Sequence, residues 1–243
     1  MAAKDNAEID KSQVRSALRA FDLLECFTPT RTEISLSVLA EEACLPASTT
    51  SRLLSTLVSS GYLRKTENGL YAYASRLLRI ALTALQGMSI YELALPHLEA
   101  MRDATGESTN LAVPGSDGRP IYIRQAESRR AIRHNSWIGE TLPIKGTAIG
   151  AAISGKVNNA GYSVIKGSIE PDVAAVAAPV HDSGGQIVAA FSITMPIFRA
   201  TDAILEQYGQ LVVKHSRKAS TQLGYQQTAG GALDSKKVSG GVK

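Results

Sequence analysis

Residues 45–63 read LPASTTSRLLSTLVSSGYL, and the fold is decided by this stretch. Thr50, Leu53, Leu54, Leu57 and Val58 recur at helical spacing on one face. Pro46 suits the first helical position, where its missing N–H would have had no partner. Gly61 suits the left-handed residue that closes a helix. Upstream, Leu36, Leu39, Ala40 and Ala43 repeat i, i+3, i+4, i+7, so two helices lie about three residues apart and form a helix-turn-helix. Burying the apolar face leaves Ala47, Ser48, Thr49, Ser51, Arg52 and Ser55 pointing outward.

The flanks complete the unit. Before it, Val14, Ala17, Leu18, Phe21 and Leu24 predict a first helix with its apolar residues on one face. After it, Tyr62 to Lys65 and Leu70 to Tyr73 read as short strands joined through Asn68-Gly69, a dipeptide that tolerates positive φ in a tight hairpin. The result is a winged helix-turn-helix over residues 12–74. From Ser75 a helical pattern returns, with Leu77, Leu78, Ala81, Leu82 and Leu85 on one face, until Gly87. This is a linker helix, 75–87.

Residues 88–225 read as an antiparallel α+β domain. A helix carrying Ile90, Ala94, Leu98 and Met101 runs to Gly106, with Pro96 expected to kink or split it. Strands are expected at Ser108 to Val113, Ile121 to Ala126, Ala131 to Asn135, Val173 to Val180 and Gln186 to Met195, the last two as a hairpin. A closing helix from about Thr201 is expected to bury Ile204, Tyr208, Leu211, Val212 and His215. Residues 1–11 read as a flexible N-terminus and 226–243 as a disordered tail, too poor in apolar residues to order itself.

Composition bounds the function. The 243 residues include 44% hydrophobic types, enough for real cores, and no apolar run approaches the roughly 18 residues of a membrane helix. The first ten residues are too charged for a signal peptide, so a cytoplasmic location is expected. Two cysteines and four histidines, scattered, do not make a zinc site of ordinary spacing, and no metal or cofactor is expected. The net charge of +4 permits a polyanionic partner without demanding one. The arrangement says more. Arg52 can fork onto guanine O6 and N7, the hydroxyls of Ser48, Thr49, Ser51 and Ser55 can bond phosphates or base edges, and the helix N-terminus favours a phosphate. Arg64 and Lys65 in the wing, with Arg15 and Arg19 on the first helix, supply backbone contacts to double-stranded DNA.

The sequence resembles the IclR family of bacterial transcription regulators. The resemblance rests on Val14, Ala17, Leu18 and Leu23-Leu24; on residues 45–63; and on Tyr71 to Leu78. Further along it rests on Thr105-Gly106-Glu107, Leu142-Pro143, Thr147-Ala148-Ile149-Gly150, Glu170-Pro171, Ala177-Ala178-Pro179-Val180, Ser192 and Pro196. It implies a winged-helix DNA reader joined to a GAF-like effector-binding domain, working as a homodimer or dimer of dimers on a palindromic operator, as a repressor of catabolic genes. Activators of the same family and a winged-helix scaffold that binds protein remain alternatives.

This chain departs from the family's pattern in several places. Ala47 stands where a basic residue often opens the reading helix, Ser51 where a larger polar residue is common, and Ser16 where an arginine is usual. Only about twenty residues separate Gly150 from Glu170, where the family fits two more helices and a loop. At positions that match an aspartate and a cysteine in members binding small keto acids, this chain has Ile165 and Ala175, and Lys145 replaces a histidine. The implied pocket therefore suits an organic acid or amide with an aromatic or branched body. It would be held by Lys145, Ser192, Thr194, Thr147 and Ala148, with Leu142 lining it and Ile123 or Trp137 against the ring.

An enzyme would need a nucleophile with a base, paired acids or a phosphate loop. Gly115, Gly118, Gly184 and Gly185 sit in turns and form no nucleotide fingerprint, and His134 and His181 lie in no nucleophile signature. No catalytic residue is expected.

Overall fold

The computed structural model describes residues 13–226. The expected flexible N-terminus and, apart from Gln226, the expected disordered tail lie outside the described residues. Two compact units divide the chain. Of the described residues, the first comprises 13–92 with two short pieces, 121–123 and 137–141, and the second comprises the remainder.

The first unit contains α1 (Arg15–Glu25), α2 (Leu36–Glu42), α3 (Ala47–Ser59), β1 (Leu63–Lys65), β2 (Tyr71–Tyr73) and α4 (Ser75–Gln86). Ser35 caps α2, its Oγ accepting from the Val38 amide at 3.4 Å. Two bonds close α2, Leu45 N–H to Ala40 O and Cys44 N–H to Glu41 O, and they force Cys44 to φ 51°, a left-handed conformation usually left to glycine. Pro46 stands at the N-cap of α3, one residue earlier than expected. At the other end Tyr62 N–H reaches Leu57 O and Gly61, at φ +74°, donates to Val58 O. Leu23, Phe27, Ile34, Leu39, Leu54, Leu57, Leu63 and Tyr71 form the core.

The wing differs in detail from expectation. Gly69 is at φ +77° but Asn68 is not in the left-handed region, and Gly69 N–H donates to Thr66 O. The connection is therefore a longer loop ending in a left-handed glycine rather than a two-residue turn. Ile34 adds a third rung by exchanging both backbone bonds with Tyr71.

The apolar face of α1 is largely exposed. Val14, Leu18 and Phe21 are 65%, 37% and 59% exposed, and Leu23 is the helix's buried anchor. The linker helix α4 buries no residue, and Leu78 and Leu82 are 61% and 50% exposed. Two amphipathic helices thus present apolar faces that the other described residues do not cover.

The second unit is built on a five-stranded sheet of order β4-β3-β7-β6-β5: β3 (Ser108–Pro114), β4 (Pro120–Ala126), β5 (Ser163–Lys166), β6 (Val173–His181) and β7 (Ile187–Pro196). The β3/β7, β5/β6 and β6/β7 pairs are antiparallel. The hairpin β6–β7 supplies the buried centre, with Ala174, Val176, Ala178, Phe191, Ile193 and Met195 at or near zero exposure. On one face lie α5 (Ser89–Thr105) and α7 (Asp202–Gln222): Thr109 Oγ1 donates to Leu98 O at 2.8 Å and the His97 ring packs 5.9 Å from that of Phe191. On the other lies α6 (Ala148–Ile153), where Ser163 Oγ donates to Ala148 O at 2.7 Å.

Three expectations are corrected here. Helix α5 runs unbroken through Pro96. Residues 131–135 are not a strand but an irregular segment in which Arg133 pairs with Glu127, and just before it Arg130 ion-pairs with the buried Glu107. Arg199 joins the same carboxylate, its Nη2 donating to Oε2 at 3.0 Å; its Nε lies 2.8 Å from Oε1, too oblique to count as a hydrogen bond. The buried stripe of α7 is rotated to Leu205, Gly209, Val212, Val213, Ser216, Ala219 and Ser220, while Ile204, Tyr208, Leu211 and His215 are only half-buried. Finally, α6 and β5 occupy sequence that periodicity left unassigned.

Candidate functional site

The reading helix exposes its N-terminal half. Ala47, Ser48, Ser51, Arg52 and Ser55 are exposed and Thr49 is half-buried, whereas Thr50 is fully buried with its Oγ1 bonded to Pro46 O at 3.2 Å. The guanidinium of Arg52 has no side-chain partner among the described residues, which leaves its donor fork available. Beside it, Ser16, Ala17 and Ala20 of α1 and Thr49, Leu53 and Thr56 of α3 line an open groove of about 660 Å³. Arg15, Arg19, Arg64 and Lys65 are exposed, and the Lys65 ammonium lies 5.9 Å from the Tyr71 ring centroid. This unit therefore presents hydroxyls and a free arginine at a helix start, with cations on its wing and first helix. Such a combination has the chemistry that recognition of a DNA duplex requires.

In the second unit, strand register groups part of the expected effector set. Ile165 pairs with Ala175, Ala175 with Thr194 and Thr194 with Ser108; two residues along, Ser163, Ala177, Ser192 and Asn110 form a parallel row. Alternation puts both rows on the α6 face. Asn110, which sequence reasoning missed, is buried and its Nδ2 donates to Thr194 Oγ1 at 3.2 Å and weakly to Ser192 Oγ at 3.4 Å. Both hydroxyls then act as acceptors to the protein, and neither donates to an acceptor among the described residues. A ligand oxygen can take either proton. The signal for Asn110 was its pairing with a strand more than eighty residues away, which no local pattern carries.

Thr147 and Ala148 begin α6. Thr147 Oγ1 accepts from Gly150 N–H at 3.0 Å and donates to Pro143 O at 2.7 Å. Gly150 has no room for a side chain, since a Cβ there would meet the Ile144 backbone. The loop Leu142 to Gly146 is thereby pressed onto α6, with Leu142 half-buried and Lys145 exposed and without an ion-pair partner among the described residues. Ile123 and Trp137 are not brought into these rows. Both belong to the pieces grouped with the first unit, and Trp137 packs edge-on to Tyr122 with ring centroids 5.1 Å apart.

The remaining candidate bases have structural occupations or lie elsewhere. His134 Nε2 is 3.0 Å from Glu170 Oε2, and His181 stacks on Tyr225. Among the described residues no cluster of three His, Cys, Asp or Glu side chains is arranged to hold a metal, and no helix is long and apolar enough to cross a membrane.

A winged helix-turn-helix followed in one chain by a sheet-based domain is the architecture of a one-component regulator. The chain belongs to the IclR family of transcriptional regulators: the IclR helix-turn-helix domain matches residues 16–67, and the bacterial transcriptional regulator IclR C-terminal domain matches residues 82–155 and 155–221. It is 26% identical to the transcriptional repressor IclR of Escherichia coli (strain K12), over 87% of this chain and 91% of that one. The crystal structure of an IclR family transcriptional regulator from Brucella abortus superposes with a TM-score of 0.72 at 25% identity, covering 89% of this chain and 95% of the other. An IclR homologue from Microbacterium hydrocarbonoxydans, solved with 4-hydroxybenzoate, gives a TM-score of 0.71 at 23% identity, covering 86% and 98%.

Proposed function

We propose that this regulator is a homodimeric repressor of catabolic genes that reads a palindromic operator and responds to an organic acid or amide with an aromatic or branched body. The head spans residues 12–74, the linker 75–87 and the effector domain 88–225. The observation that carries the reading is the free Arg52 at the exposed start of α3, beside Ser48 and Thr49. Arg52 reads a guanine, the two hydroxyls bond the adjacent backbone or bases, and Arg15, Arg19, Arg64 and Lys65 hold phosphates. The uncovered apolar faces of α4 and α1 support pairing of two copies, and a two-fold protein calls for two half-sites.

The effector sits on the α6 face of the sheet. Its carboxylate or carbonyl takes the free protons of Ser192 and Thr194 and the charge of Lys145. Thr147 and Ala148 border it at the head of α6, and Ile165, Ala175 and Leu142 give it an apolar bed. The 4-hydroxybenzoate bound by the Microbacterium homologue is a ligand of that chemical kind. Repression is supported by the name of the Escherichia coli relative. A ligand that binds one arrangement of the two heads better than another shifts DNA affinity by about 5- to 150-fold.

The test is calorimetry with a panel of aromatic acids and small keto acids, followed by operator binding in the presence of whichever compound binds. Binding of an aromatic acid that releases the operator is expected. Tight binding of glyoxylate or pyruvate with none of the larger acids would overturn the effector reading, and an effector that strengthens operator binding would replace repression on the free protein with a co-repressor scheme.

A further inference from the structure

The match to the family's C-terminal domain is interrupted at residue 155, and the structure has an open cavity at that place. The link from α6 to β5 is a single turn around Asn158, whose Oδ1 accepts from the amides of Ala160 and Tyr162 at 3.0 and 3.2 Å. Next to this turn lies a cavity of about 620 Å³ within the second unit, walled by Ile153, Val157, Ile187 and Val213. None of its lining residues belongs to the two rows on the α6 face described above. Its volume falls in the range of small-molecule sites.

The polar groups of the cavity divide into two kinds. Ser216 and Ser220 are used by the fold: Ser216 Oγ donates to Ala178 O, and Ser220 Oγ accepts from His181 N–H and donates to Ser216 O. The guanidinium of Arg217, the ring nitrogens of His181, the side-chain amide of Gln186 and the Tyr225 hydroxyl have no hydrogen-bond partner among the described residues. His181 and Tyr225 are stacked, their centroids 5.1 Å apart and their planes 23° from parallel, so they form one flat aromatic wall. Burial lowers the basicity of His181 and favours a neutral ring at pH 7. Among the described residues no acidic side chain lines the cavity. An apolar chamber with a flat wall and one free arginine is complementary to a planar, amphipathic anion.

We infer that this cavity is a second small-molecule site, taking an aromatic carboxylate with its charge on Arg217 and its ring against the His181–Tyr225 stack and the Ile153, Val157 and Ile187 wall.

The experiment uses 4-fluorobenzoate as probe, with fluorine NMR and calorimetry on the full chain and on Arg217→Gln, Thr221→Trp and Lys145→Ala. Thr221 is an exposed rim residue on α7, so a tryptophan there closes the mouth without entering the core, and Arg217 is likewise exposed. Arg217→Gln is expected to weaken one binding event by about tenfold or more, since a charge-assisted bond is lost. Thr221→Trp is expected to abolish the same event. Lys145→Ala should leave it unchanged, which separates this site from the one on the α6 face. Binding that neither Arg217→Gln nor Thr221→Trp alters, or no binding at about 10 mM probe, would overturn the inference. A change of oligomeric mass in Thr221→Trp without loss of a ligand event would make the cavity a contact between copies and overturn it equally.

Discussion

A charge placed on the exposed face of α4 tests how two copies of this chain come together. Leu82 is 50% exposed on a helix that buries none of its residues, and Leu78 one turn earlier is 61% exposed. Burying a leucine fully contributes about 1.5–3 kcal/mol, so covering the exposed half of Leu82 contributes about 1 kcal/mol per copy and about 2 kcal/mol across a two-fold interface. Leu82→Glu removes that and sets two carboxylates in the contact, adding about 1 kcal/mol or more through desolvation and repulsion. The dimer should weaken by about 3 kcal/mol, roughly 100-fold in dissociation constant. Glutamate is nearly as good a helix former as leucine, and position 82 touches no core, so the unit itself should stay folded. Sedimentation equilibrium gives the mass, circular dichroism the fold, and anisotropy the operator affinity. The expected result is a folded monomer with reduced operator binding; unchanged mass and unchanged operator affinity would refute pairing through α4.

Three further predictions concern the two units separately. Cys44→Gly should stabilise the first unit by about 1 kcal/mol in urea unfolding, because the position is left-handed and glycine carries no Cβ penalty there. Gly209→Ala should cost about 1–3 kcal/mol, since the new Cβ would fall within 3.0 Å of three atoms of the buried Tyr162 ring; an unchanged melting curve would contradict the packing of α7 on that ring. His215, pressed by burial and by His97, Lys218 and Lys214, has its pKa lowered from 6.5 to about 4. Between those values the unfolded chain takes up a proton that the folded chain resists, so stability is full above about pH 6.5 and falls as the pH drops toward 4. Thermal melts across that range should show a steeper acid loss for the parent than for His215→Gln.

What the sequence disclosed, and what it hid, follows from how local each feature is. The reading helix was legible because Thr50, Leu53, Leu54 and Leu57 carry a full helical period next to a capping glycine. Helix α6 was not, since six residues rich in alanine give no period, and its position is fixed by Gly150 fitting under the Ile144 backbone. The face of α7 was misread because the residues that pack are Gly209, Ser216, Ala219 and Ser220, which a hydrophobicity pattern passes over. Residues 131–135 were read as a strand, yet the chain there is irregular, following Arg130, which with Arg199 holds Glu107 in a pairing between distant segments. On α1 the periodicity located the stripe of Val14, Leu18 and Phe21 but could not tell that the described residues leave it exposed.

The same contrast holds for the candidate sites. Ser192 and Thr194 were found by resemblance, while Asn110, which orients both, needed the β3/β7 register to be seen. Ile165 and Ala175 fall in line with Thr194 because strand pairing puts them there, whereas Ile123 and Trp137 group elsewhere.

The most direct test of the account is fluorescence anisotropy of DNA from upstream of the protein's own gene, titrated over several salt concentrations with the parent and Arg52→Ala. The account predicts saturable binding that weakens steeply with salt, and an Arg52→Ala loss of about 1–3 kcal/mol on that fragment with little change on random DNA. Salt-independent binding, or an Arg52→Ala variant that binds the fragment as tightly as the parent, would contradict sequence reading by α3.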